Sequence, residues 1–256
     1  MSPPAPLAGL GIVLTRPRGQ SASLAQRLEA DGARVIHCPS LAIVPVEPDE
    51  ASGVALGELA SARLAVFVSA NAAEHGLAVA RRRGPWPAGV PAAAVGEATA
   101  AALREAGLAD VVAPSGRADS EALLALPQLQ AVEGAPIIIF RGVGGREHLR
   151  SVLESRGAKV AYVECYRRER PATDPAETRS ALERGEIHAV HAMSAESVEN
   201  FGQIVGAGAR LEGVALVVPH EAIARCAARA RFGPVVVAQP GPEGLARALL
   251  NLRKTA

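Results

Sequence analysis

The chain has 256 residues and a net charge of +1, so it is long enough for two ordinary domains, and non-specific nucleic-acid binding is not expected. Hydrophobic residues make up 49% of it and aromatic residues only 3%, which favours a core of small aliphatic side chains in buried parallel strands. The sequence shows neither an apolar run near the roughly 18 residues of a membrane span nor a signal-peptide pattern, so we expect a cytoplasmic protein without membrane contact.

The first half of the chain alternates short apolar runs with amphipathic stretches. Strands are predicted at residues 11–15, 33–37, 64–68, 90–95 and 110–113. Helices are predicted before Gly32, after Ser69, and at residues 97–106 and 120–126, with Ser69 and Ser120 as caps. A proline-punctuated connector is predicted at residues 39–49.

The second half repeats this order. Strands are predicted at residues 136–140, 159–164, 187–193, 214–218 and 234–238. Helices are predicted at residues 147–155, from Ser197, and at residues 222–230 and 243–252. Residues 166–175 form a second connector, so the two halves share one pattern.

The cysteines and histidines are scattered along the chain. Cys38, Cys165 and Cys226 form neither a Cys-x-x-Cys pair nor a Cys/His cluster at metal spacing. His188 and His191 fall in a strand-like stretch, which does not suit a metal pair on a helix face. Reduced thiols are expected, and neither a metal nor another cofactor.

An internal repeat underlies this pattern, because a shift of 125 residues superimposes one half on the other. The matched pairs include Arg16 and Arg141, Gly19 and Gly144, Leu28 and Leu153, Gly32 and Gly157, and Ser69 and Ser194. A domain-sized repeat of alternating strands and helices predicts two similar flavodoxin-like, doubly wound parallel-sheet domains with a ligand cleft between them.

Ligands of such sheets bind beyond the carboxyl ends of the strands, which selects a set of candidate binding residues. These are Arg16, Ser69, Ala70, Asn71, Gly96, Arg141, Gly142, Gly144, Gly145, Arg146, Ser194, Ala195, Ser197 and His220. Arginine suits fork-like binding of carboxylates or phosphates.

The glycine-rich stretch from Arg141 to Arg146 has two interpretations. Its glycines let backbone N–H groups converge on an anion at a helix N-terminus, or they simply form a tight strand-to-helix turn. It lacks the Gly-Lys-Ser/Thr of a Walker loop and the spacing of a dinucleotide fingerprint.

The hydroxyl candidates also have structural alternatives. Ser69, Ser194 and Ser197 suit helix capping, and Thr99 lies near a helix start where the other copy has Ile223. Tyr166 falls in the second connector, where it either donates a hydrogen bond to a ligand or packs its ring against the hinge.

Several motifs together resemble those of the uroporphyrinogen-III synthases. The most specific stretch runs from Ser120 to Arg168, and supporting matches occur in the family's order over nearly the whole chain. The specific motifs are Ser120-Glu-Ala-Leu-Leu-Ala-Leu-Pro127, Arg141-Gly-Val-Gly-Gly-Arg-Glu147, Arg156-Gly-Ala-Lys-Val160 and Glu164-Cys-Tyr-Arg167. The supporting ones are Leu14-Thr-Arg-Pro17, Val68-Ser-Ala-Asn71, Ala94-Val-Gly-Glu-Ala-Thr99 and Ser194-Ala-Glu-Ser197.

This resemblance implies a chain that starts one domain, builds all of the second, and returns to finish the first. The first domain would hold residues 1–38 and 172–256, the second residues 46–164. Residues 39–45 and 165–171 would form a two-stranded hinge between them.

The resemblance also implies a cofactor-independent cyclising lyase. Its substrate would be hydroxymethylbilane, a linear tetrapyrrole, which closes with loss of water and inversion of the last pyrrole ring. Tyr166 matches the family's tyrosine and would assist departure of hydroxide, and Thr99 matches its threonine and would hydrogen-bond the substrate. Pro219 and His220 replace a small hydroxyl residue that the family often has there.

Expectations about partners and two alternative functions accompany this resemblance. We expect a monomer that has transient contact with hydroxymethylbilane synthase. A non-catalytic two-domain protein that binds an anionic small molecule is the main alternative. A nucleotide-sugar transferase is less favoured, because no convincing ribose or base site is present.

Overall fold

A computed structural model describes residues 5–227, 231–239 and 241–255, and these contain eleven strands. The strands are β1 (Gly11–Leu14), β2 (Arg34–His37), β3 (Ala42–Pro45), β4 (Leu64–Phe67), β5 (Ala92–Ala94), β6 (Val111–Val112), β7 (Pro136–Gly142), β8 (Lys159–Glu169), β9 (Ala189–His191), β10 (Ala215–Val218) and β11 (Val235–Val237).

Ten α-helices alternate with these strands in the described part of the chain. They are α1 (Arg18–Ala30), α2 (Glu50–Gly57), α3 (Ala70–Arg81), α4 (Glu97–Glu105), α5 (Ser120–Leu124), α6 (His148–Ser155), α7 (Ala176–Glu183), α8 (Ala195–Val205), α9 (Glu221–Ala227) and α10 (Pro242–Thr255). The last three residues of the predicted helix 222–230, and Met1 to Pro4, lie outside the described residues. None of the described helices combines the length and apolarity that a bilayer crossing requires.

The chain divides into two compact units, Met1–Ala42 with Glu169–Ala256, and Ile43–Arg168. The first unit contains a five-stranded sheet in the order β11-β10-β9-β1-β2, and the second a six-stranded sheet in the order β3-β8-β7-β4-β5-β6. All neighbouring strands of the first sheet pair in parallel, and so do the neighbouring strands of the second sheet from β8 through β7, β4 and β5 to β6. The predicted α/β class is therefore confirmed.

The internal repeat accounts for both strand orders. It aligns β1 and β2 with β7 and β8, and β9, β10 and β11 with β4, β5 and β6. Under this alignment the two sheets share the order of a flavodoxin-like sheet, except that β3 extends the second one. Each unit thus combines the front of one copy with the back of the other.

Both faces of each sheet are buried, as the aliphatic composition predicts. In β7, Ile138 and Phe140 belong to one core cluster, while Ile137 and Ile139 belong to the cluster on the opposite face. This alternation follows from the two-residue period of a strand. Helices cover both faces, so functional side chains are left to the edges of the sheets.

The structure revises several predicted boundaries. Asp119, rather than Ser120, caps α5, and Ser194 caps α8 so that this helix begins before Ser197. Both predicted connectors contain strand, namely β3 and the end of β8, because the Val46 N–H donates to the Cys165 carbonyl at 3.2 Å and extends the sheet. Tyr166 therefore lies in a strand rather than in a loop.

Candidate functional site

A β-bulge at the end of β8 determines where Tyr166 points. Arg141 is opposite Glu164, but Gly142 is opposite Tyr166, so Cys165 is an extra residue in β8. As a result Cys165 and Tyr166, although adjacent, both contribute to the same core cluster. Without the bulge, the two-residue period would place them on opposite faces of the sheet.

The extra residue Cys165 is held inside the protein. Its Sγ lies 3.3 Å from the Arg141 carbonyl oxygen, to which it can donate, and its side chain is fully buried. Burial raises the pKa of the thiol to about 12, so it stays protonated. Cys165 is therefore a packing residue, as is buried Cys38 in the first unit.

Arg141 holds the glycine loop, residues 142–145, from beneath. Its guanidinium donates to the Gly145 carbonyl and to Glu147 Oε1, each at 2.8 Å, and its Nε lies 3.3 Å from Glu164 Oε1. It also lies 4.0 Å from the centre of the Tyr162 ring. Because its guanidinium is already bonded to Gly145, Glu147 and Glu164, Arg141 suits positioning of the loop better than the predicted contact with a ligand.

Glu147 and Tyr162 complete this arrangement. The Tyr162 hydroxyl donates to Glu147 Oε2 at 2.9 Å. Hydrogen bonds from Arg141 and Tyr162 lower the pKa of Glu147, which keeps it ionised. Burial, with the bond to Glu147, raises the pKa of Tyr162 to about 12. We call the set Arg141, Glu147 and Tyr162 the clamp. Within it Glu147 is ionised and Tyr162 is protonated at neutral pH.

Two backbone N–H groups of the glycine loop already have hydrogen-bond acceptors within the protein. The Val143 N–H donates to the Tyr166 carbonyl at 2.8 Å, and the Gly145 N–H to the Gly142 carbonyl at 3.3 Å. Among the described residues, the N–H groups of Gly144 and Arg146 have no acceptor. The loop is therefore a tight turn, and because it leaves two N–H groups available, its binding of an anion stays a prediction.

A cavity of about 510 Å³ opens above this loop, at the carboxyl edge of the six-stranded sheet. In the described part of the chain, neither Arg146 nor Arg168 has a partner for its guanidinium. An arginine without a counter-ion at a cavity is suited to binding carboxylates. The lining residues are Val68, Val95, Ala118, Asp119, Ser120, Glu121, Ile139, Arg141, Gly142, Val143, Gly144, Gly145, Arg146, His148, Leu149, Tyr162, Tyr166 and Arg168.

Tyr166, which lines this cavity, forms a hydroxyl pair with Ser69. The two oxygens lie 3.1 Å apart, and either can be the donor. Ser69 also caps α3, because its Oγ accepts from the Ala72 N–H at 3.0 Å. With its oxygen partly occupied by the cap, Ser69 can fix the direction of the Tyr166 hydroxyl. Capping and function are therefore compatible for this serine.

Ser194 and Ser197, the predicted site serines of the first unit, make hydrogen bonds that stabilise this unit. Ser194 Oγ accepts from the Ser197 N–H at 3.1 Å and caps α8. Ser197 is buried, and its hydroxyl lies 3.1 Å from that of Ser40 and 3.3 Å from that of Thr15. The interior of the unit thus satisfies Ser197, which makes a structural role the simpler one.

Arg16 lines a smaller cavity, of about 180 Å³, at the carboxyl edge of the five-stranded sheet. Its guanidinium donates to Gln20 Oε1 at 3.1 Å. Pro219 lines this cavity too, whereas His220 precedes α9 and is not among the lining residues of the described chain.

The remaining predicted residues lie at helix starts. Gly96 is the N-cap of α4, and a Cβ there would lie 2.4 Å from Ala118 Cβ, so close packing requires this glycine. Thr99 is buried in the first turn of α4 and does not line the larger cavity as described, so its contact with a substrate stays a prediction. Ala70 and Asn71 begin α3, and Ala195 begins α8.

Sequence reasoning missed four residues that the fold brings to these cavities. Arg168 and Tyr162 line the larger cavity with Tyr166, and His191 lines the smaller one with Arg16. His148 lies 3.6 Å from Glu121 at the rim of the larger cavity. Arg168 was missed because residues 166–175 were predicted to form a connector. Strand period could not have grouped Tyr162 with Tyr166, because the bulge at Cys165 lies between them and they pack against opposite core clusters.

Two parallel doubly wound units, one with unpaired arginines above a glycine loop in the described part of the chain, define an α/β protein whose site suits a carboxylate-bearing ligand. Residues 22–247 match the family model described as uroporphyrinogen-III synthase HemD. The chain belongs to the uroporphyrinogen-III synthase family, which confirms the resemblance of the motifs and gives no support to the two alternative functions.

Individual relatives agree with this assignment. The chain is 36% identical over 160 residues to the uroporphyrinogen-III synthase of Salmonella typhimurium, a match that covers 62% of this chain and 65% of that protein. It is 33% identical over 222 residues to that of Synechococcus elongatus, covering 82% and 83%. The matched part thus spans just under two thirds of the Salmonella protein and most of the Synechococcus one.

Solved structures agree in fold. The uroporphyrinogen-III synthetase of Helicobacter pylori 26695 has a TM-score of 0.63 at 14% identity, covering 96% of this chain and 99% of that one. A mutant uroporphyrinogen III synthase of Thermus thermophilus has a TM-score of 0.61 at 18% identity, covering 96% and 100%.

Proposed function

We propose that the protein cyclises hydroxymethylbilane, with loss of water and inversion of the last pyrrole ring, to uroporphyrinogen III. One observation carries the assignment of the chemistry to this site. Tyr166, whose hydroxyl is paired with Ser69 at 3.1 Å, lines a cavity of about 510 Å³ that Arg146 and Arg168 also line. A proton donor beside unpaired cations suits an anionic substrate that must lose hydroxide.

Arg146 and Arg168 hold carboxylates of the substrate, which has an acetate and a propionate on each ring. Both guanidinium groups lack a partner in the described part of the chain, so binding does not require an existing ion pair to break. A charge-assisted hydrogen bond to a carboxylate contributes about 1.5–3 kcal/mol. The free N–H groups of Gly144 and Arg146 add neutral donors at the same loop.

Tyr166 assists the first chemical step. The pyrrole nitrogen pushes an electron pair toward the hydroxymethyl carbon, the C–O bond breaks, and the phenol donates its hydrogen bond to the departing oxygen. In this step Ser69 is the donor of the pair, so the phenol hydrogen stays free for the departing oxygen. The Ser69 Oγ lies 3.1 Å from the phenol oxygen and itself accepts from the Ala72 N–H. The product of this step is an electrophilic azafulvene.

The second step needs geometry more than acid or base. The last pyrrole attacks the azafulvene carbon through its already substituted position, and the spiro intermediate fragments and recloses with that ring inverted. Loss of a ring proton balances the lost hydroxide as water. Holding the reacting carbons together can replace several kcal/mol of activation free energy. The clamp serves this purpose, because it fixes the loop that carries Arg146.

The decisive experiment supplies hydroxymethylbilane, oxidises the products to porphyrins and separates the isomers. We expect the inverted isomer to form well above the spontaneous rate. Formation of only the uninverted isomer, at the rate seen without protein, would refute the proposed function.

The proposal also covers the location, the oligomeric state and the partner of the protein. We propose that it acts as a cytoplasmic monomer and receives its substrate through transient contact with hydroxymethylbilane synthase, since the free substrate closes to the wrong isomer. Analytical ultracentrifugation of the protein alone tests the oligomeric state. The fraction of inverted isomer, made with and without contact between the two enzymes, tests the transfer of substrate. A stable dimer would contradict the first. Production of the inverted isomer at the same fraction, whether or not the two enzymes can touch, would contradict the second.

A further inference from the structure

The smaller cavity is the repeat-related counterpart of the larger one. The lining residues of the two cavities correspond under the repeat, at a shift of 125 residues or one less. The corresponding pairs are Arg16 and Arg141, Leu24 and Leu149, Met193 and Val68, and Pro219 and Val95. Duplication has therefore given each unit its own cavity at the carboxyl edge of its own sheet.

The two equivalent arginines have different surroundings. Arg141 is paired with Glu147 and Glu164. The repeat places Ala22 and Pro39 at the positions of these two acids in the first unit. Among the described residues Arg16 has no ion pair, and its guanidinium bonds to the neutral Gln20 amide oxygen. Arg16 thus lines a cavity equivalent to that of Arg141 but, among the described residues, has no acidic partner.

Burial makes this missing counter-charge costly. The surroundings of Arg16 lower the pKa of its guanidinium through desolvation, although the group stays charged at neutral pH. A partly buried cation without an acid partner gains from binding an anion. The same desolvation strengthens the hydrogen bonds that such an anion would accept.

His191 is a second polar residue at this cavity, and the equivalent position of the other unit holds the apolar Val66. His191 is paired with Leu14 across the β1–β9 ladder, just as Val66 is paired with Ile139 across the equivalent ladder. Burial, reinforced by the positive charge of Arg16, lowers the pKa of His191 to about 4. At neutral pH the imidazole is therefore uncharged and offers one N–H donor.

We propose that the cavity lined by Arg16 and His191 is a carboxylate-binding subsite. Arg16 supplies the positive charge, and the His191 N–H supplies a second hydrogen bond. A cavity of about 180 Å³ is too small for a whole tetrapyrrole but suits one acetate or propionate substituent. Met193, Pro219 and Leu245 give it apolar walls for the methylene groups of such a substituent.

The identity of the carboxylate as a substrate side chain rests on the proposed function, whereas its binding does not. The test therefore has two readouts. The first is a titration of ring-labelled ¹⁵N-histidine protein with propionate, with chloride at matched ionic strength as reference. The second is the KM for hydroxymethylbilane. The variants are Arg16→Ala, His191→Val and His191→Gln, with Arg18→Ala as control.

The variants are matched to the fold. His191→Val restores the residue type that the other unit has at this position, and His191→Gln keeps an N–H donor. Arg18→Ala removes one positive charge from an exposed arginine at the start of α1 that is not among the lining residues. Far-ultraviolet circular dichroism establishes that each variant is folded.

We expect propionate, but not chloride, to shift the His191 signals in the unsubstituted protein and in Arg18→Ala, and not in Arg16→Ala. The KM should rise roughly 10-fold or more in Arg16→Ala, and by less in His191→Val, with His191→Gln restoring part of the loss. If propionate leaves the His191 signals unmoved, the subsite is refuted. If propionate binds but the KM of Arg16→Ala equals that of Arg18→Ala, the assignment to a substrate side chain is refuted. A protein that binds propionate here yet makes no inverted isomer would refute the proposed function alone.

Discussion

Gly142 and Tyr166 face each other across the bulge so closely that a methyl group on Gly142 would lie 2.7 Å from two ring atoms of Tyr166. The backbone cannot easily move away, because the Val143 N–H donates to the Tyr166 carbonyl at 2.8 Å. The glycine loop and the tyrosine therefore occupy their positions together.

Gly142→Ala should lower both stability and turnover. Overpacking of this kind costs about 1–3 kcal/mol of the free energy of unfolding, and the displaced ring would misdirect the phenol. Urea unfolding and kcat for hydroxymethylbilane measure the two effects. Gly57→Ala is the control, because nothing lies within 4 Å of its added Cβ and it ends a helix. Unchanged stability in the Gly142→Ala variant would show that the ring has free space.

Tyr166→Phe should lower kcat by roughly 10²-fold or more while the KM changes little, since a general acid contributes about 10²–10⁴-fold. Ser69→Ala should have a smaller effect on kcat, because it removes only the group that directs the phenol, and it should also weaken the cap of α3. Steady-state kinetics and thermal unfolding separate these contributions. Near-normal turnover in Tyr166→Phe would make Tyr166 a packing residue.

Arg146→Ala should raise the KM about 10-fold, the loss of roughly one charge-assisted hydrogen bond, without affecting stability. The matched control is Arg63→Ala. Arg63 is an exposed arginine just before β4, at the amino edge of the same sheet. Equal KM values for the two variants would place Arg146 outside the binding site.

Tyr162→Phe and Glu147→Gln test the clamp. Each removes one bond that holds the loop, since the Tyr162 hydroxyl donates to Glu147 and Glu147 accepts from Arg141. We expect a higher KM in both, more loop motion by hydrogen exchange at residues 143–146, and a kcat near that of the original protein. A drop in kcat without faster exchange would contradict a positioning role.

Acidification should destabilise the protein through His191. The pKa of this group is lowered from 6.5 to about 4 on folding, so the unfolded chain binds its proton first. Its contribution is fully present above pH 6.5 and is lost as the pH falls through that range toward 4. The amount is on the order of 3 kcal/mol. Urea unfolding at several pH values should show a shallower acid loss in His191→Val. Parallel curves for the two proteins would contradict the buried, neutral imidazole.

The architecture could be predicted from the repeat in the chain alone. Gly32 and Gly157, like Arg16 and Arg141, are 125 residues apart, and this constant shift predicted two related units. The strand and helix pattern within each copy could be predicted because it depends on residues close in sequence. Strand positions followed for the same reason, since a run such as residues 136–140 is apolar throughout in a sheet buried on both faces.

The site depended on contacts that sequence does not show. Arg16 and Arg141 are the same residue in the repeat, yet among the described residues one has no ion pair and the other is paired with Glu147 and Glu164. Tyr166 was predicted in a connector because the ladder that continues β8 is formed by a distant segment, β3. Its direction depends on a single extra residue, Cys165.

The sequence by itself thus determined the fold class, the repeat and the family, because hydrophobic period and glycine spacing are local properties of the chain. Only the tertiary structure decided which polar groups are free to act. Whether a guanidinium or a hydroxyl is already satisfied depends on partners far away in sequence, such as Ser69 for Tyr166, and these partners meet only when the sheets form.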